Sequence, residues 1–208
     1  MWRRTITFLL SLLSMVMAEA TNHYFKHLGV SDGLSQVCIP SIYQDELGAV
    51  WLGTTEGLNR YNGKDVKVFQ PSESNHGLTN NEINELCGDK NGRMYIRSGN
   101  DLIKLDIYTE QFTCLRQKGV YGLFCKKDTL WVSCADGIYY YTGQGTELTF
   151  FARVQKGFVG RALYVDKETV WVVTRKYLVA ISREDPLRQE ILLTLDKGNC
   201  ILGDSSGN

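Results

Sequence analysis

The amino-acid sequence predicts an all-β fold built from a four-stranded unit that recurs about every forty residues. Three observations carry this reading. Aromatic residues stand inside apolar runs at Trp51, Tyr95, Trp131 and Trp171, with spacings of 44, 36 and 40 residues. Each is followed by a short apolar stretch, a tight turn and a second apolar stretch: WLGTTEGLNRYN, YIRSGNDLIKLD, WVSCADGIYYYT and WVVTRKYLVAIS. Each is preceded by a further apolar run and a polar turn: SIYQDELGAV, ELCGDKNGRM, GLFCKKDTL and ALYVDKETV. Eleven Tyr, eight Phe and four Trp against three Pro lean the same way, because aromatic side chains suit pleated strands.

In chain order, residues 1–20 come first and differ from the rest. Trp2-Arg3-Arg4 is a positive start, Ile6–Met17 is mostly apolar, and Ala18-Glu19-Ala20 is an A-x-A site. This is the layout of a secretory signal peptide, with cleavage expected after Ala20 and a mature chain of residues 21–208. An uncleaved N-terminal anchor is the alternative, although the run is short for a bilayer. Next, Tyr24–Val30 reads as an outermost strand whose own blade is missing, because FKHLGVSDGLSQVCI resembles VFQPSESNHGLTNNEI. Four repeats follow near residues 37–70, 83–116, 121–152 and 161–195. In the first, strand a is Val37–Tyr43, strand b holds Trp51, strand c is Leu58–Asn62 and strand d is Val66–Phe69. Residues 200–208 start a fifth unit, since LGDSSGN matches CGDKNGR.

Four strands in about forty residues is the period of a β-propeller blade. The prediction is therefore a β-propeller of four-stranded blades, here an incomplete arc of about four and a half, with 24–30 as an opening closure strand. An arc leaves strand edges unpaired, so the chain is expected to be the front piece of a longer protein. A self-contained four-bladed ring and a β-sandwich are the alternatives. The b–c turns are the most regular feature. Their central pairs read as Glu56-Gly57, Asn100-Asp101, Asp136-Gly137 and Lys176-Tyr177. The first three suit a type I′ hairpin turn; Lys176-Tyr177 predicts a different turn or a bulge.

The stretch Leu34–Gly63, LSQVCIPSIYQDELGAVWLGTTEGLNRYNG, resembles the two-component regulator propeller repeat. Leu-Ser, Ile, Gln-Asp, Gly, Trp-Leu-Gly-Thr, Gly-Leu and Arg-Tyr-Asn-Gly fall in that family's order. The resemblance weakens along the chain: Ser133-Cys134 replaces Gly-Thr in the third unit, and Thr174-Arg175-Lys176-Tyr177 replaces the Gly-bearing turn in the fourth. It implies the N-terminal periplasmic part of a bacterial hybrid two-component sensor histidine kinase. The family's kinase module has no counterpart in these residues. The resemblance also implies carbohydrate breakdown products as the signal.

Balanced charge, 23 basic against 23 acidic side chains, argues against a nucleic-acid partner. Catalytic, cofactor and metal sites are not expected. GDSSG at Gly203–Gly207 imitates a protease nucleophile but reads better as an a–b turn. His23 and His27 have helical ligand spacing inside a strand, and His76 stands in a polar loop. The aromatic anchors are expected to pack between blades. Glu56, Asn100, Asp136 and Lys176 form a ring of turn residues that could bind an oligosaccharide by hydrogen bonds, or be turn formers only. The six cysteines, at 38, 87, 114, 125, 134 and 200, are expected mostly reduced and buried, with Cys125–Cys134 the best pair should one disulfide form. The expected function is a periplasmic ligand-sensing propeller fragment without catalysis, its partners being missing blades, downstream sensor domains and a possible second copy. An exported glycan enzyme and a truncated non-functional product are the rival readings.

Overall fold

The structure is a computed structural model that describes residues 27–71, 77–154, 160–196, 198 and 200–203. The signal peptide, His23, His76 and Asp204–Gly207 lie outside the described residues.

Among the described residues sixteen strands form four separate four-stranded antiparallel sheets, each in chain order. Blade 1 is β1 (Ser41–Gln44), β2 (Val50–Thr54), β3 (Gly57–Tyr61) and β4 (Val66–Phe69). Blade 2 is β5 (Ile83–Gly88), β6 (Arg93–Ser98), β7 (Asp101–Asp106) and β8 (Gln111–Arg116). Blade 3 is β9 (Val120–Lys126), β10 (Thr129–Cys134), β11 (Gly137–Tyr141) and β12 (Thr149–Ala152). Blade 4 is β13 (Gly160–Val165), β14 (Thr169–Thr174), β15 (Tyr177–Ser182) and β16 (Gln189–Thr194). The innermost strands adjoin in the series β1, β5, β9, β13, as in a β-propeller.

Burial explains the sequence pattern. The b strands β2 and β10 are buried along nearly their whole length, so they read as nearly continuous apolar runs rather than alternating ones. The outermost β16 is mostly exposed and alternates weakly. Three of the anchors pack into the following blade. Trp51 joins Ile83, Met94 and Ile96 of blade 2. Tyr95 joins Val120, Leu130 and Val132 of blade 3. Trp131 joins Leu163, Val170 and Val172 of blade 4. Trp171 of blade 4 is only half-buried.

Two expectations change. Strand a of blade 1 begins at Ser41 rather than Val37; the residues before it form a loop in which Ser35 N–H donates to Asn59 Oδ1 at 2.9 Å and the Ser35 hydroxyl meets that of Thr54 at 2.9 Å. The described part of the opening segment, 27–30, forms no strand, and Val30–Asp32 is a 3-10 turn.

Candidate functional site

The b–c turns lie one residue earlier than the sequence reading placed them. Thr54 pairs with Gly57, Ser98 with Asp101 and Cys134 with Gly137, so the two-residue loops are Thr55-Glu56, Gly99-Asn100 and Ala135-Asp136. In blade 4, Arg175-Lys176 has the same length. None of these is a type I′ turn. Positive φ occurs within the loops only at Gly99 (59°), the type II′ position. In blade 1 it falls on Gly57 (123°), the first residue of β3, where a Cβ would lie 2.7 Å from the Phe69 carbonyl oxygen. Threonine side chains close two of the turns. Thr54 Oγ1 donates to the Gly57 carbonyl at 2.8 Å and accepts from Glu56 N–H at 3.1 Å. Thr174 Oγ1 donates to the Tyr177 carbonyl at 3.1 Å and accepts from Tyr177 N–H at 2.9 Å.

Glu56, Asn100, Asp136 and Lys176 therefore occupy equivalent second positions of these turns, and all four are exposed. Among the described residues no hydrogen bond joins any of these side chains to another. Asp136 is held in place: Arg116 Nη2 donates to it at 2.7 Å and the Tyr139 hydroxyl at 2.8 Å. Burial pushes its carboxyl up, but these donors outweigh burial and hold it below the usual carboxylate range.

A concavity among the innermost strands was not foreseen. A cavity of about 490 Å³ lies along the axis between the innermost strands and residues 200–203. Its polar end is lined by Ser41, Asn84, Glu85, Arg97 and Arg161. These belong to the half of the blades nearest the b–c turns, and Arg97 Nη1 donates to the Gly99 carbonyl of such a turn at 3.3 Å. Arg97 Nε pairs with the Glu85 carboxylate at 3.2 Å. Burial raises the Glu85 carboxyl above its usual range, opposed by Arg97 and by the backbone N–H of Leu123 in the next blade. At the preceding joint Ser41 acts in a similar way, its Oγ accepting from Leu86 N–H at 2.9 Å. The other end is apolar, with Phe124 and Tyr164 edge to face at 5.3 Å. A carboxylate, two guanidiniums, an amide and a hydroxyl beside apolar walls suit a hydroxyl-rich ligand. On the opposite face, a cleft of about 340 Å³ between blades 3 and 4 holds Lys127, Lys167 and Arg183. Arg183 is fixed over Trp131, 5.7 Å from the ring centroid, by the Asp166 and Lys167 carbonyls.

Sequence reasoning also missed a latch. Asp45 Oδ2 accepts from Trp51 Nε1 at 2.7 Å while Oδ1 accepts from Leu47 and Ala49 N–H. Asp166 repeats this with Trp171 at 2.6 Å and with Glu168 and Thr169 N–H. The signal was an Asp five or six residues before a Trp. In blade 2 the anchor is Tyr95, Asp89 turns to Arg93 instead, and the buried Tyr95 hydroxyl has no hydrogen-bond partner among the described residues. In blade 3, no aspartate stands five or six residues before Trp131.

The cysteines depart from expectation. All six are free thiols, but Cys38 and Cys200 are exposed and only Cys134 is buried. Burial pushes the Cys134 thiol up to about 12. Cys125 lies opposite Leu130 and Cys134 opposite Val120, at opposite ends of one hairpin, so they cannot pair. Among the described residues no three His, Cys, Asp or Glu side chains cluster as metal ligands, and no helix is long and apolar enough to cross a membrane.

Residues 33–56 match the family model of the two-component regulator propeller. The match takes in β1, β2 and the b–c turn of blade 1. Over 53 residues, 26% of this chain and 4% of the relative, the chain is 40% identical to histidine kinase P4 of Formosa agariphila. The fold of the chain is that of an extracellular domain assigned to the hybrid two-component system BT3049 of B. thetaiotaomicron. The TM-score is 0.76 at 22% identity, over 88% of this chain and 28% of that one. A second such domain, of BT4673 from the same organism, gives 0.66 at 21% identity over 84% and 25%. A gluconolactonase of Xanthomonas campestris shares the propeller at a TM-score of 0.59 and 13% identity, over 80% and 65%. The chain thus spans under a third of the histidine kinase and of the two-component extracellular domains.

Proposed function

We propose that this propeller is the ligand-sensing, periplasmic part of a two-component sensor, exported by residues 1–20, and that it binds a glycan breakdown product without transforming it. The observation that carries the binding site is the polar end of the axial cavity, where the Glu85–Arg97 pair stands with Asn84, Ser41 and Arg161. Glu56, Asn100, Asp136 and Lys176 stand on the same face as that end and serve as its rim. The family repeat in blade 1 and the two-component neighbours support the sensor reading, and the family resemblance supplies the glycan class. Rigid blade packing then passes ligand binding to downstream sensor domains or to a second copy by favouring one arrangement of them.

The absence of catalysis rests on chemistry. Glu85 is tied to Arg97, and no second carboxylate stands among the described polar residues at that end of the cavity to complete an acid–base pair for sugar hydrolysis. The rival is a glycan-directed propeller enzyme. Calorimetric titration of the intact extracellular region against an oligosaccharide panel tests both. Glu85→Gln with Arg161→Ala is expected to abolish binding. Glu56→Ala, Asn100→Ala and Asp136→Ala together are expected to weaken it about tenfold, the scale of one or two rim hydrogen bonds. Unchanged affinity in the first variant removes the axial site, and turnover of any glycan replaces the sensor reading with the enzyme.

A further inference from the structure

We infer that Cys87 and Cys125 form a disulfide that staples blade 2 to blade 3. Neighbouring innermost strands meet through a recurring pair of positions. In each blade, the residue opposite the aromatic anchor is Tyr43, Cys87, Phe124 or Tyr164. Two of these tyrosines reach across to a glycine in the next unit. A Cβ on Gly88 would lie 2.1 Å from the Tyr43 hydroxyl oxygen, and one on Gly203 would lie 2.3 Å from that of Tyr164. Gly88 is the residue after Cys87, and Gly203 stands at the equivalent place in LGD. The rule is that the residue opposite one anchor meets the residue one step later in the next blade.

At the joint between blades 2 and 3 that rule pairs Cys87 with Cys125, which follows Phe124. A large ring over a glycine has given way to two thiols of middling size. They face one another, and both pack on the cluster that holds Tyr95, Leu130 and Tyr141. The two cysteines sit in different sheets, so a bond between them would link two blades covalently at a point other than the chain itself. Nothing else at this joint needs a sulfur: a Gly–Tyr or Val–Phe pair fills the same place elsewhere.

The chemistry needs an acceptor, and a small-molecule or protein disulfide serves. One cysteine thiolate attacks the acceptor disulfide, releases one acceptor thiol and leaves a mixed disulfide. The second cysteine attacks that, releasing the other acceptor thiol. Two cysteine thiols become one S–S bond, and one acceptor disulfide becomes two thiols. Burial and the neighbouring sulfur hold the Cys87 thiol well above its ordinary range, so closure is slow at neutral pH and accelerates as pH rises.

The test incubates the full chain with oxidised glutathione, blocks free thiols in denaturant, and maps linked peptides by mass spectrometry. Expected is one link within the chain, Cys87 to Cys125, beside any mixed disulfides that glutathione forms at the exposed Cys38 and Cys200. The oxidised chain should melt higher than the same sample after reduction. Cys87→Ala should form no link within the chain under the same treatment. Because the mapping is done on the unaltered chain, a variant that fails to fold does not decide the matter. No link within the unaltered chain after prolonged exposure at mildly alkaline pH, or native oxidation that links any other pair in place of this one, overturns the inference.

Discussion

Blades 1 and 3 have the same four strands and the same pairing order, yet almost no side-chain hydrogen bond in common. Blade 1 is held by the motif: Asp45 clamps its own turn and the indole of Trp51, and Thr54 closes the b–c turn. Blade 3 has Lys126 near the place of that aspartate and Cys134 in place of that threonine. Without them it rests on rings and ion pairs, which blade 1 has as well in Trp51–Phe69 and Arg60–Glu110. Trp131 packs edge on to Phe151 at 5.1 Å and against Tyr140 at 5.6 Å, and Arg116 ties Asp136 and stacks on Tyr139. The difference shows that the apolar anchor builds the blade, while the polar motif trims its turns.

The anchor should then matter equally in both blades. Trp51→Ala and Trp131→Ala are each expected to cost about 3–5 kcal/mol by urea unfolding, the range for emptying a tryptophan site in a core. Trp171→Ala, at a half-buried position, should cost clearly less. A Trp131 variant as mild as the Trp171 one would break the equivalence.

Of these two blades, only blade 1 should depend on the latch. Asp45→Ala removes acceptors from two backbone N–H groups and one indole, an expected loss of roughly 2–3 kcal/mol. Lys126→Ala in blade 3 removes a bond to the Val165 carbonyl and should change stability by about 1 kcal/mol or less. Equal losses at the two sites would show that Lys126 has taken over the structural role of the aspartate.

Much of this was legible in the chain. The anchors, the four units and strand d of blade 1 at Val66–Phe69 follow from apolar runs and turn residues, which act locally. Turn register was not, because Gly57 looks like a turn residue. Its positive φ serves the start of β3, where the neighbouring strand's carbonyl leaves no room for a side chain. The axial cavity was invisible because Ser41, Glu85 and Arg161 come from three blades and share no spacing. The pairing of Cys125 with Cys134 failed for the same reason: sequence proximity suggested a hairpin pair, whereas the two stand at opposite ends of that hairpin.

Acidity separates the two blades more gently. Hydrogen bonds from Arg116 and Tyr139 keep the Asp136 carboxyl below its usual range in the folded chain, despite the opposing effect of burial. Its stabilising contribution is therefore complete above the unfolded carboxyl value of about 3.9 and disappears as pH falls through the lower folded value. Asp136→Asn should flatten the acid limb of a stability–pH curve below about pH 4. An unchanged limb would mean that the Arg116 contact is screened away in solution. The smallest effect is expected from Cys134→Thr, which restores to blade 3 the hydroxyl that blade 1 has. A change in unfolding free energy within about 0.5 kcal/mol would show that ring packing has made that bond dispensable.

The innermost strands share no ladder. They meet through single contacts such as Leu86 N–H to Ser41 Oγ, and through whatever bulk is wedged between them, a tyrosine over a glycine or a pair of sulfurs. A hydrogen-bonded ladder would fix the spacing of adjacent strands near ~4.8 Å; a wedge does not. The angle from one blade to the next is then a matter of side-chain volume at one column of residues, and curvature becomes a property that can be altered joint by joint. Exchanging Tyr43 for a smaller ring, or Gly88 for alanine, would change the circumference such units trace without touching the strands themselves.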